Sequence, residues 1–257
     1  MLNGGLQSLD GGLVHRFTPG EEEGYTTDAV NFDGTNDALS IAGEPTGMSD
    51  GKDVLFSCWV KKAADGSFQI LFNFGGSVQQ VTYFTSGNKL VTQWRGVGGG
   101  GILGTWTSNT TINVASGWTH ILYAIDAANT TFQCYFDDVA DSASYSVTNN
   151  VIDWTLTNYR IGNYYNGSLK LNGDLADFYV TNEYLDLSVE SNRRKFIDAS
   201  GKPVDLGSDG STPTGTAALF FHKADAVTPD NIRLNVGSSD DYVVTGAFTN
   251  ASSSPSD

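Results

Sequence analysis

Two cysteines among 257 residues exclude a disulfide framework. Cys58 and Cys134 could close one bridge at most. Both stand in apolar runs, Phe56-Ser57-Cys58-Trp59-Val60 and Phe132-Gln133-Cys134-Tyr135-Phe136, and read as small buried hydrophobes with free thiols. Basic residues are also scarce. Fourteen Lys and Arg stand against 29 Asp and Glu, for a net charge of −15 and a pI of about 4.3. That balance repels polyanions, so neither nucleic acid nor an anionic membrane surface is expected as a partner. No apolar stretch approaches the ~18 residues of a membrane-spanning helix, so no membrane insertion is expected. Met1-Leu2-Asn3-Gly4-Gly5-Leu6 has neither a basic start nor an apolar core, so no secretory signal is expected there. The three histidines, His15, His120 and His222, are too scattered for a zinc site.

Glycine and aromatic residues are plentiful: 30 Gly, with 14 Phe, 11 Tyr and 5 Trp. Residues 1–24 are Gly-rich and acidic and read as an N-terminal arm. Short runs rich in Val, Ile, Thr and aromatics follow, at 29–32, 37–42, 53–61, 68–74, 78–85, 89–95, 102–107, 118–126, 131–137, 158–162 and 174–181. Gly, Asn, Asp and Ser separate them, which is an all-β pattern. In 131–137, Phe132, Cys134 and Phe136 share one face, while Gln133, Tyr135 and Asp137 share the other. That period of two predicts a sheet covered on one side, hence a sandwich. Ser86-Gly87-Asn88 and Ala127-Ala128-Asn129 supply hairpin turns. A helix is predicted from Ser188 as N-cap to about Ala199, ended by Gly201 and Pro203. The segment 202–217 reads as a surface loop, and strands are expected at 217–222 and 241–248. The Ser-rich tail 252–257 should fray unless a partner or another copy holds it.

Several residue sets recur in a recognisable order. They are Val30-Asn31-Phe32-Asp33-Gly34, Phe56-Ser57-Cys58-Trp59-Val60, Gly117-Trp118-Thr119-His120-Ile121, Cys134-Tyr135-Phe136-Asp137-Asp138 and Gly173-Asp174-Leu175-Ala176-Asp177-Phe178. In this order the chain resembles the laminin-G-like branch of the concanavalin A-like lectin/glucanase superfamily over roughly 28–186. The resemblance implies an antiparallel two-sheet jelly-roll sandwich over 25–186, with a helix-containing extension at 187–257. The block from Leu187 to Phe196, with Lys202-Pro203-Val204-Asp205-Leu206-Gly207 and Gly210-Ser211-Thr212-Pro213-Thr214-Gly215, resembles one that follows such domains in tailed-phage proteins. It implies a structural or decoration protein of a virion, made in the host cytoplasm. Expected partners are other virion proteins and a host-surface glycan, with the chain in several copies or a homo-oligomer. The alternative is a dedicated carbohydrate-binding receptor module of a tail or fibre.

An enzyme is not expected. Glycoside hydrolysis needs two carboxylates at a fixed separation. The Glu-x-Asp-x-x-Glu strand that the superfamily's glucanases use is absent. Gly96-Val97-Gly98-Gly99-Gly100-Gly101 has no following Lys-Ser/Thr and no helix, so it reads as a hairpin loop rather than a phosphate cradle. No Gly-x-Ser-x-Gly elbow occurs.

Sugar recognition stacks an apolar sugar face on an exposed aromatic and bonds hydroxyls with polar side chains. Two groups fit. Tyr164 and Tyr165, with Asn163 and Asn166, form a polar-aromatic loop cluster; adjacent loop residues cannot easily both be buried. Trp94-Arg95 and Trp106 flank the Gly-rich loop. Relatives of the fold hold calcium at a sandwich edge, which makes Asp33, Asp37, Asp137 and Asp138 candidate ligands. The competing reading is that these residues make turns.

Overall fold

A computed structural model describes residues 25–76, 80–98, 101–225 and 227–257. The proposed arm 1–24, with His15, lies outside the described residues. Sixteen strands form among them, in chain order β1 (Val30–Asp33), β2 (Ala38–Ile41), β3 (Asp53–Lys62), β4 (Gln69–Phe74), β5 (Gln80–Phe84), β6 (Lys89–Arg95), β7 (Ile102–Thr111) and β8 (Thr119–Asp126). Then come β9 (Thr131–Phe136), β10 (Val139–Ala140), β11 (Tyr145–Val147), β12 (Tyr159–Ile161), β13 (Asn172–Thr181), β14 (Phe220–His222), β15 (Val243–Thr245) and β16 (Thr249–Asn250). The first sheet runs β10-β9-β8-β3-β13-β1-β16, with β14 beside the second half of β13. The second runs β11-β7-β6-β5-β4-β12-β2-β15. Every strand pairing is antiparallel, as the alternating runs and tight turns require.

The two sheets face each other across an aromatic core. Phe56 of β3 meets Phe72 of β4 at 5.2 Å and Phe178 of β13 at 5.5 Å, all three fully buried. Cys58 and Cys134 are buried free thiols, and burial pushes both above the usual thiol range. The face of β9 expected to point inward does so, through Phe132, Cys134 and Phe136.

The outer faces of the two sheets differ. Leu55, Leu122 and Tyr179 on the outside of the first sheet are covered by Leu187, Phe196, Leu206 and Phe221. β8 is therefore buried at every position, and its centre, Ile121 to Ile125, reads as a continuous apolar run. β7 of the second sheet alternates instead, with Thr105 and Thr107 exposed beside buried Gly104 and Trp106. The outer face of the second sheet is thus open over β7, while β4 is buried at every position.

The expected helix over 188–199 shrinks to one turn, α1 (Glu190–Arg193). Val189, not Ser188, is its N-cap, and the Ser188 hydroxyl donates to Asp186 instead. Tertiary demands override the pattern. Arg193 and Arg194 are drawn to Asp138 at 2.5 and 2.7 Å. Phe196 and Ile197 enter two separate apolar clusters, and Ile197 forms an antiparallel bridge with Pro203, which a continuing helix could not make.

The tail does not fray, and this chain itself holds it. The Ala251 N–H donates to the Ala29 carbonyl, and the Thr27 N–H donates to the Ser256 hydroxyl. Thr27 and Tyr25 also donate to Asp177, at 2.8 and 3.2 Å, where β13 bulges and exchanges β1 for β14 as neighbour. Burial raises the Asp177 carboxyl to about 6, with Lys223 opposing the shift and Asp205 adding to it. The proton is therefore bound more tightly in the folded chain than in the unfolded one. Its stabilising contribution is complete below about pH 4 and is lost as pH rises through about 6. Asp177→Asn keeps an acceptor for Thr27 and tolerates the left-handed backbone there (φ 46°). The variant is expected to gain on the parent between pH 4 and 6 and to stay ahead above it, by at most about 3 kcal/mol. Melting curves of both proteins from pH 3.5 to 8 check this; a difference that does not vary with pH contradicts it.

Candidate functional site

The outer face of the second sheet carries an orderly row of side chains. Arg160, Asn73, Val81, Gln93 and Thr105 stand side by side on β12, β4, β5, β6 and β7. In the next row Ile70, Tyr83, Val91 and Thr107 do the same. Over β4 and β5 these rows sink into a hollow of about 230 Å³. Ile70 and Val81 form its floor, while Phe68, Tyr83, Gln93, Tyr164 and Leu169 form its rim. Phe68 and Leu169 are 45% and 41% exposed, and the Phe68 and Tyr83 rings lie 6.0 Å apart.

Tyr164 reaches this rim because the segment after β12 folds back over the sheet edge. The Tyr164 N–H donates to Ser168, the Gly167 N–H returns to Tyr164, and the Ile70 N–H donates to Leu169. Gly167 takes the left-handed conformation that closes the turn (φ 83°). The Tyr165 N–H donates to the Asn73 side chain at 2.7 Å, anchoring the loop to the outer row. Tyr164 and Tyr165 are both half-buried, with rings 4.7 Å apart. Asn166 caps its own turn by accepting from the Ser168 N–H and hydroxyl. Asn163 is buried. Of the predicted loop cluster, Tyr164 alone therefore lines the hollow.

The two tryptophans are not available to a ligand. Trp94 is fully buried against Phe72 and Trp154, and its indole N–H donates to Thr92. Trp106 is 2% exposed and packs on Phe132 at 5.0 Å. The reason is register: Leu90, Thr92 and Trp94 point inward, so Val91 and Gln93 take the outer positions. Arg95 lies past a bulge, its N–H donating to Gln80, and does not reach the hollow. Phe68, Tyr83 and Leu169 escaped the sequence reading. Tyr83 shares a face with Val81 while Gln80 and Thr82 share the other with Phe84, so alternation points Tyr83 to the core rather than to the outer face it occupies.

The acidic candidates are already bonded within the chain. Asp33 accepts from the N–H groups of Thr35 and Asn36, and Asp37 from those of Asp33 and Ala247. Asp137 accepts from the His120 N–H, and Asp138 holds the two arginines. Asp137 and Asp138 have φ of 48° and 65°, the mark of a two-residue hairpin turn between β9 and β10. The structure thus places these four in turns and ion pairs, and among the described residues brings together no three metal-ligating side chains. His120 bonds Ser57 and packs on Trp59, and burial lowers it to about 3; burial lowers His222 to about 4. Both rings stay neutral near pH 7.

The hollow can therefore offer aromatic faces, two phenol hydroxyls and one amide. Among the described residues lining it, none is charged. No curated protein matches this chain in sequence. Among solved structures, a proposed carbohydrate-binding protein from Bacteroides ovatus ATCC 8483 has a TM-score of 0.58 at 13% identity. The match covers 89% of this chain, which spans only 61% of that one. A heptameric SAP-like pentraxin from Limulus polyphemus has a TM-score of 0.51 at 13% identity, covering 86% of this chain and 95% of that one. These likenesses establish a shared lectin-like sandwich fold. A laminin G family model matches residues 21–188, and with that match over most of its length the chain belongs to the concanavalin A-like lectin/glucanases superfamily.

Proposed function

We propose that the chain is a non-enzymatic carbohydrate-binding module whose ligand stacks in the hollow on the second sheet. The observation that carries this reading is the rim of Phe68, Tyr83 and Tyr164 around an apolar floor, with Gln93 beside it. Exposed aromatic faces suit the C–H face of a pyranose, and phenol and amide groups suit its hydroxyls. The Bacteroides ovatus likeness, a proposed carbohydrate-binding protein of the same fold, supports it. The absence of carboxylates among the described lining residues supports binding rather than hydrolysis.

We further propose that the module works in several copies on a tailed-phage particle, where it contacts other virion proteins and the host surface. Repetition suits a shallow hollow, because weak contacts multiplied over copies gain avidity. The C-terminal sequence block is the support for this setting. A glycan array probed with a multimerised chain, with calcium and with a chelator, tests the binding function. Chelator-resistant binding to neutral glycans is the expected result, since the hollow has no acidic ligand set. Absence of binding in both conditions overturns it.

A further inference from the structure

The covering of the first sheet is incomplete at one end. There Thr249, Asn31, Asp174 and Lys61 form a row across β16, β1, β13 and β3. They point outward, because Val30, Phe32, Val60 and Leu175 between them enter the core. Asn31 donates to Asp174 at 2.7 Å. A cavity of about 470 Å³ lies over this row, and its lining includes Val114 and Ser252 of the tail. That volume suits a small-molecule ligand.

The tail itself shows what chemistry the row accepts. The Ser253 hydroxyl oxygen accepts two hydrogen bonds, from the Lys61 ammonium at 2.9 Å and from the Trp118 indole at 3.1 Å. Two donors, one on β3 and one in the residue just before β8, thus converge on one alcohol oxygen. Asp174, one strand over, is an acceptor and 8% exposed. A donor and an acceptor at neighbouring positions match adjacent hydroxyls, which both give and take hydrogen bonds. An anion would meet Asp174, and a cation would meet Lys61.

We infer that this cavity is a second binding site, for a neutral polyhydroxylated ligand such as a sugar unit. Its hydroxyls donate to Asp174 and accept from Lys61, and the Ser253 hydroxyl, just outside the cavity lining, competes for the Lys61 ammonium. The site is separate from the hollow of the second sheet, on the opposite side of the sandwich.

The experiment uses the full chain carrying Tyr83→Ala and Tyr164→Ala, which disables the hollow. Maltohexaose, cellohexaose, chitohexaose and the anionic trigalacturonate are titrated calorimetrically, with the Trp118 indole N–H followed by NMR and melting temperature measured alongside. At least one oligosaccharide is expected to bind and to move the Trp118 signal. Lys61→Ala and the isosteric Asp174→Asn should each weaken that binding at least tenfold, as loss of a hydrogen bond to a charged group does. Ser253→Ala should tighten it, because the competing hydroxyl is gone. Binding by the parent that vanishes in the Tyr83/Tyr164 background overturns the second site and leaves the first standing. Binding indifferent to both Lys61→Ala and Asp174→Asn, or a preference for trigalacturonate over the neutral sugars, also overturns it. Silence of the parent towards all ligands overturns both sites.

Discussion

Trp94→Ala is expected to destabilise the fold by about 3–5 kcal/mol, the usual result of truncating a buried large aromatic. The indole fills space between Phe72 and Trp154, at 5.9 and 5.1 Å, with no exposure to solvent. Its N–H ends a buried chain of hydroxyls, Thr92, Thr82 and Tyr123, that bridges the two sheets. Truncation leaves a cavity and removes a donor from that chain. In a domain of this size the loss corresponds to a fall of roughly 10 °C in melting temperature. Glycan affinity, measured below the new melting point, should match the parent's. A variant that melts normally but loses binding would instead place Trp94 at the ligand.

The opposite pattern is expected at the hollow. Tyr83→Ala with Tyr164→Ala should weaken binding there by about 2 kcal/mol, roughly thirtyfold, because two stacking faces and two hydroxyls disappear together. Stability should change by only about 1 kcal/mol, since both rings are partly solvent-exposed and Tyr83 occupies an outward strand position. Calorimetric titration beside thermal melting separates the two effects. Unchanged affinity for glycans that the parent binds would remove the hollow from consideration as their site.

These contrasting residues show what the sequence discloses. Strands β3, β8 and β9 are legible because their apolar runs are long and bounded by turn residues, and β9 alternates without ambiguity. Tyr164 is legible because two adjacent loop tyrosines cannot both be interior. Trp94 and Gln93 are harder: the larger, more conspicuous residue is the buried one, and only register against β5 and β7 assigns the faces. Phe68 and Leu169 are distant in sequence and line one hollow where the Ile70 N–H bonds the Leu169 carbonyl. No local pattern encodes that meeting. The segment after Ser188 has a helix's charge order, yet its arginines are claimed by Asp138 of a distant hairpin. Strands β10, β11 and β16 are too short, at two or three residues, to stand out as runs.

The late strands have a kinetic consequence. β15 completes the edge beside β2, and β16 completes the edge beside β1, so both sheets wait for residues beyond 240. The clasp between Thr27 and Ser256 joins positions 229 apart. Closing such distant loops precedes any reward from the contacts they bring, so chains dominated by non-local pairing assemble slowly. During synthesis, β1 and β2 emerge early and stay unpaired on one side until almost the whole described chain has left the ribosome. Unpaired edges recruit strands from other chains. Nascent copies are therefore most prone to misassembly with one another before the C-terminal strands arrive, and yield should depend on how fast that last segment docks.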